Sequence, residues 1–172
     1  MGLVRLADKV YLISAICYNA DININDILKE ITDLWGPISV KGEDFEFTQT
    51  EYYQKEMGSN LVKFYCAFEQ YIDPMRIVDI KHQSNNIEEK YTGPSGRNVN
   101  IDPGYIETPK LVLATTKNFS HRIYLGNGIY GDVQLIWRGG KFIGNPWTYP
   151  DYLTENALLF FTKIRRNYLI KE

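Results

Sequence analysis

The sequence predicts an α+β protein with a ferredoxin-like (βαββαβ) core, extended by a β-hairpin and a C-terminal helix. Three observations carry that expectation. Strand-like and helix-like segments follow one another as strand, helix, strand, strand, helix, strand, which is the split βαβ order. Gly-Pro, Gly-Ser-Asn and Asn-Gly strings punctuate them at the right places. The 172 residues form one expected domain, 1–172, long enough to bury roughly 70% of the unfolded surface.

Val10 to Ile16 is a short, mostly apolar run and reads as a buried strand. Asn23 or Asn25 caps a helix in which Ile27, Leu28, Ile31 and Leu34 recur at helical spacing, and Gly36-Pro37 stops it. Ile38 to Tyr53 alternates like a strand, with Phe45 and Phe47 on one face. After a turn at Gly58-Ser59-Asn60, Leu61 to Ile72 reads as a second aromatic strand. Asp73-Pro74 opens a helix from about Met75 to Tyr91, with Ile77, Ile80 and Ile87 inward. Asn98 to Ile106 returns as a strand interrupted by Pro103-Gly104. Lys110 to Leu113, behind Thr108-Pro109, reads as a short capped helix. Arg122 to Leu125 and Tyr130 to Trp137 make a hairpin, and Gly140-Lys141 a second turn. Asp151 is the expected cap of a last helix carrying Leu153, Ala157, Phe160, Phe161 and Ile164.

Composition excludes more than it assigns. A formal charge of −2 offers no global attraction to nucleic acid or an anionic membrane. Lys163, Arg165, Arg166 and Lys171 read as helix-terminal charges that favour the macrodipole. Cys17 and Cys66 lie in apolar runs and are expected to be buried, reduced thiols. No Cys/His spacing suits zinc. The apolar run Val10 to Cys17 is too short to span a bilayer and has no clear cleavage site after it, so a cytoplasmic location is expected by elimination. The 13 tyrosines suit either a wet-edged pocket or a half-exposed sheet face.

Function is sought between Asn98 and Tyr152, where polar and special-backbone residues are densest. Gly126 to Gly131 matches G-x-G-x-x-G, but the strand-like Asp132 to Trp137 follows it, so no helix N-terminus is there for a pyrophosphate. A kinase-type loop lacks its partner motifs. The bland reading is a hairpin turn at Asn127-Gly128. His121 is a candidate acid or base and Arg122 a candidate oxyanion clamp, but in an extended segment they point to opposite faces unless a bend intervenes. His82 reads as a solvated residue. Pro146 to Tyr152 puts three aromatics and two prolines into a connection, as a pocket wall or as a plug under the last helix.

Several strings together resemble a family of bacterial and archaeal proteins described as a domain of unknown function, number 4416. They are Glu51-Tyr52-Tyr53 with Glu56-Met57-Gly58, Phe68-Glu69 with Ile72-Asp73-Pro74, and Asn98 to Tyr105. They continue with Lys110 to Lys117, Ser120 to Leu125 and Pro146 to Tyr152. The resemblance spans nearly the whole chain and brings no established reaction. It implies GTP binding only through an automatic label carried by many members. The chain has neither the Walker A string nor an N-K-x-D guanine-reading string.

The expected function is therefore a polar site for a small anionic ligand, a nucleotide such as GTP among the candidates. Lys110, Lys117 and Arg122 supply charge, Tyr124, Gly126, Gly128 and Tyr130 bring the hairpin to the ligand, and Trp147 or Tyr149 forms an aromatic wall. If chemistry occurs, His121 is the acid or base, oriented by Asp102 or Glu51. The cofactor is open. A second expectation is a non-catalytic interaction or homo-oligomeric module. A third is a metal-assisted hydrolase using Glu51, Asp102, His121 and Asp151.

Overall fold

The computed structural model describes residues 2–48, 56–94 and 96–170. Among the described residues the main sheet has nine strands, and every pairing is antiparallel. Seven run in the order β11 (Lys141–Gly144), β10 (Ile129–Arg138), β8 (Lys110–Thr115), β7 (Val99–Ile106), β1 (Val10–Asn19), β4 (Leu61–Ile72), β2 (Ile38–Lys41), while β3 (Phe45–Glu46) pairs with β4 and β9 (Ile123–Gly126) with β10. β1 (Val10–Asn19) is central and buried along nearly its whole length. Its residues divide between two cores. Leu12, Ile16 and Tyr18 pack toward α1 (Ile24–Trp35) and α2 (Ile77–Lys90), while Tyr11, Ile13 and Ala15 pack toward α3 (Glu155–Ile170). A strand covered on both faces needs apolar residues at every position, which is why this run does not alternate.

Asn23 is the α1 cap, its Oδ1 accepting from the Asn25 amide at 3.2 Å. Ile27, Ile31 and Trp35, four apart, form the buried stripe, and Gly36 ends the helix at φ +86°. Each such fully buried side chain contributes about 1.5–3 kcal/mol. The segment expected as one strand from Ile38 is split into β2 (Ile38–Lys41) and β3 (Phe45–Glu46). β4 (Leu61–Ile72) matches expectation. Asp73 accepts from the Met75 amide at 2.8 Å, starting a 3-10 turn that leads into α2. A small separate hairpin, β5 (Thr92–Gly93) and β6 (Gly96–Arg97), follows.

Several expectations fail beyond this point. β7 (Val99–Ile106) runs through Pro103-Gly104 without interruption. Lys110 to Leu113 is not helical but belongs to β8 (Lys110–Thr115). Four consecutive buried apolar residues, Leu111 to Ala114, fit either element by local pattern. Partner strands on both sides decide for the strand.

β9 (Ile123–Gly126) and β10 (Ile129–Arg138) form the expected hairpin, with Asn127 and Gly128 at φ +48° and +78°. A Cβ at Gly128 would meet nothing within 4 Å, so the glycine serves the turn. β9 and then β11 (Lys141–Gly144) lie end to end along one edge of β10. Between them, beside a bulge at Gln134, side chains complete the edge. Asn145 Nδ2 and Trp147 Nε1 donate to Val133 O at 2.8 and 2.9 Å, and the Thr148 hydroxyl donates to Gln134 O. That pairing is what the Pro146–Tyr152 segment does structurally.

Asp151 does not cap the last helix. It sits in a 3-10 turn (Pro150–Leu153), and Thr154 Oγ1 accepts from the Ala157 amide instead. Arg165, expected as one of the charges near the end of this helix, is buried: it donates to Thr108 O at 2.7 Å and lies over the Trp137 ring. No helix among the described residues is long and apolar enough to cross a membrane.

Candidate functional site

β7 and β8 pair only where Gly104–Ile106 meets Leu111–Leu113. Beyond that they part, and a polar cleft of about 80 Å3 opens in the fork. Gly104 stands at the apex. A Cβ there would come within 2.3 Å of Val112 O, so the close approach of the two strands requires glycine.

The fork leaves the first half of β7 without a strand on that side, and α2 takes its place. Lys81 Nζ donates to Ile101 O at 2.9 Å, and Glu88 Oε1 accepts from the Ile101 amide at 2.7 Å. Backbone polar groups alternate sides along a strand, so Pro103 turns its nitrogen to the same edge as Ile101. No ladder partner has yet joined there, and the missing N–H loses no bond.

One wall of the cleft is an ion network. Arg97 donates to both oxygens of Glu56 (2.8 and 3.0 Å), to Glu88 at 2.6 Å and to Asn100 Oδ1 at 3.2 Å. Asn100 Nδ2 donates to Asp102 Oδ2 at 2.7 Å. Burial pushes the Glu88 carboxyl above its ordinary range, against the pull of the Lys81 charge. Burial works against the Arg97 charge, but Glu56 and Glu88 together hold its pKa above the usual value. Lys81 is nearly fully buried and lines the cleft. An ammonium has three donors. This one makes a single short hydrogen bond, to Ile101 O, with Asp102 at 3.4 Å and Glu88 at 4.0 Å.

The other wall is built around Asp132, which is 1% exposed. Arg122 Nε and Gln134 Nε2 donate to it, each at 2.8 Å, and His121 Nε2 lies 3.4 Å away. The bend that the sequence left open is present: the Arg122 amide donates to Phe119 O, turning the chain before β9 begins. His121 and Arg122 therefore converge on one carboxylate. Arg122 also donates to Lys117 O at 2.9 Å and to the Tyr149 hydroxyl at 3.1 Å. Trp147 stacks on His121, centroids 4.7 Å apart and planes within 13°. Burial, followed by the Asp102 charge, raises the Tyr149 pKa.

The expected residues thus fall into separate places. Lys117, Asp102 and Tyr149 line the cleft, with Arg122, His121 and Trp147 behind Asp132 and Tyr149. Asp102 sits on the wall opposite Asp132 and is engaged by Lys81 and Asn100, so the carboxylate beside His121 is Asp132. Glu51 lies outside the described residues. Lys110 is at the far end of β8, paired with Glu107. Tyr124 and Tyr130 pack on each other at 5.2 Å, and with Gly126 and Gly128 they lie outside the cleft lining. The hairpin tip instead reaches α2, Asn127 O lying 2.9 Å from His82 Nε2. Asp102, His121 and Asp151 have different neighbours. Among the described residues no group of three or more His, Cys, Asp or Glu is arranged to hold a metal ion.

Sequence reasoning missed Lys81, Arg97, Asn100 and Asp132. Two of them left a signal. Asp132 is the one charged residue inside the run Ile129 to Trp137, and Lys81 and Glu88 fall on the same α2 face as Ile77, Ile80 and Ile87. A charge on a buried stripe needs a partner, and that partner marks a polar interior.

No curated protein and no solved structure matches the chain. One family model does, over residues 8–168. The chain belongs to the family described as a domain of unknown function (DUF4416).

Proposed function

We propose that the fork between β7 and β8 binds a small anionic ligand, with an oxyanion of the ligand meeting Lys81. The observation that carries this is a buried ammonium on the lining of a polar cleft, which donates to Ile101 O at 2.9 Å and only at 3.4 Å to Asp102 and so keeps a third donor for a ligand. A buried charge normally requires fuller pairing. Asn85, Thr115, Thr116 and Lys117 line the same opening and offer further donors. The volume argues about size: 80 Å3 is far below the about 300–1,000 Å3 of pockets that enclose drug-sized ligands. A nucleotide such as GTP would enter by its phosphates, leaving base and sugar outside. If a reaction occurs, His121 is its acid or base, with Asp132 orienting it. The core itself reads as ferredoxin-like, supported by the order β7-β1-β4-β2 across its βαββαβ segment.

Calorimetry and thermal denaturation with phosphate, acetate, GMP and GTP test the site on the wild type and Lys81→Met. Binding that is lost in Lys81→Met is the expected result. Absence of binding by all four compounds, or equal binding by the variant, overturns it.

A specific observation favours a second reading, a non-catalytic interaction module. Phe119, Ile123 and Tyr124 are all more than half exposed beside the outer edge of β9, and an edge strand with apolar neighbours is a template for an added strand. A partner captured by the wild type and lost with Ile123→Asp would support that reading.

A further inference from the structure

Two further apolar features of the described residues face solvent, apart from the fork and from the β9 edge. The first is a groove of about 580 Å3 between α3 and the β2–β3 connection, with Val40, Phe45, Ala157, Leu159 and Phe160 on its walls. This volume does fall in the range of about 300–1,000 Å3 for enclosing, mostly apolar sites. The second is the N-terminal arm. Residues 2–9 are neither helix nor strand, and Leu3, Val4 and Leu6 are each at least 85% exposed. Single exposed leucines are ordinary, but three large aliphatic side chains within four residues form a patch that calls for a cover.

Charge matches the two. The groove carries Glu43, Asp44 and Glu155 against Lys41 and Lys163, and Lys41 is already paired with Asp44. The arm carries Arg5 and Lys9 against Asp8. We propose that the groove receives the arm of a second copy of this chain. Leu3, Val4 and Leu6 enter between α3 and the β2–β3 connection, and Arg5 faces Glu43 and Glu155.

The path of the arm, not its reach, favours a second copy as the occupant. The Tyr168 hydroxyl donates to Lys9 O at 3.1 Å, so the arm leaves from the C-terminal end of α3. Phe160 lies about 12 Å back along the helix, and the six residues from Lys9 to Leu3 span about 20 Å. The arm is long enough to lie on its own groove, yet it runs clear of it with its aliphatic side chains in solvent. Exchange between two copies covers both features twice, and twofold symmetry closes the assembly.

Light scattering on a sizing column tests this with the full chain, Leu6→Asp and Leu159→Glu, both at exposed positions. The wild type is expected to be a dimer whose dissociation constant rises about tenfold or more in either variant. Oxidising a mixture of Leu6→Cys and Leu159→Cys proteins is expected to give a disulfide-linked heterodimer. The native thiols do not compete, because both are buried and pushed up to about 12. A wild type that stays monomeric at all concentrations overturns the proposal, as does a dimer that neither variant weakens. A disulfide formed within single chains of a protein carrying both Leu6→Cys and Leu159→Cys assigns the groove to the chain's own arm and overturns the second copy. Any thermal shift with phosphate should persist in Leu6→Asp and Leu159→Glu, which separates this interface from the fork.

Discussion

Asp151 reaches across the α3 face of the sheet to Lys63, its Oδ2 lying 2.6 Å from Nζ, with the two side chains only 4% and 8% exposed. The Tyr65 hydroxyl donates to the same oxygen at 2.7 Å, and the rings of Phe47 and Tyr152 flank the ammonium. Removing one partner of a buried pair strands the other charge, which costs about 3–5 kcal/mol. Asp151→Ala is expected to lose that much stability in urea denaturation. Lys63→Met combined with Asp151→Ala should recover part of it. Additive losses in that cycle would show the pair to be uncoupled.

Thr154→Ala should behave as a lost helix cap, at about 0.5–2 kcal/mol. Its cap bond is to the Ala157 amide. The contrast with Asp151→Ala separates the two roles. A Thr154→Ala variant as stable as the wild type would rule out Thr154 as the cap.

Arg122→Ala is expected to destabilise the fold by about 3–5 kcal/mol, because it leaves the buried Asp132 carboxylate without its guanidinium. Lys117→Ala, on the cleft lining, should change stability far less. Thermal denaturation of both decides. Any ligand effect of Arg122→Ala must therefore be read at a temperature where that variant is folded.

Glu88 gives a pH signature. Its folded-state pKa is raised, chiefly by burial, so the native state holds the proton more tightly than the unfolded chain. Its contribution is fully present below the unfolded pKa and is lost as pH rises through the folded one. Denaturation of the wild type and Glu88→Gln across that window should show the wild type losing ground relative to the variant as pH rises. A parallel pair of stability curves would rule this out.

Cys17 and Cys66 should resist alkylation in the native protein at pH 8, since burial pushes both thiols up to about 12. Both should react after denaturation. Rapid labelling of either thiol under native conditions would contradict the burial.

Much of the scaffold was legible because local chemistry states it. Asn23, Asp73, Gly36 and Asn127-Gly128 each specify a backbone event within a few residues, and each does in the structure what the sequence announced. The errors came where local pattern is degenerate. Leu111 to Ala114 reads equally as helix or strand until β7 and β10 flank it. Asp151 looked like a cap because Asp before an apolar helix usually is one, and only its approach to Lys63, far back in the chain, shows otherwise.

The site divides in the same way. By itself the sequence determined the α+β class, family membership and the buried thiols, and it singled out the segment holding His121, Arg122 and Trp147 as the place to seek a site. The tertiary structure alone decided which carboxylate stands beside His121, that Lys81 and Glu88 stand in for a missing strand at Ile101, and where β7 and β8 part. Caps and turns are fixed by energies acting within one or two turns of chain. Ion pairs such as Lys81 with Asp102 or Lys63 with Asp151 form only after folding closes long loops, so no local pattern encodes them.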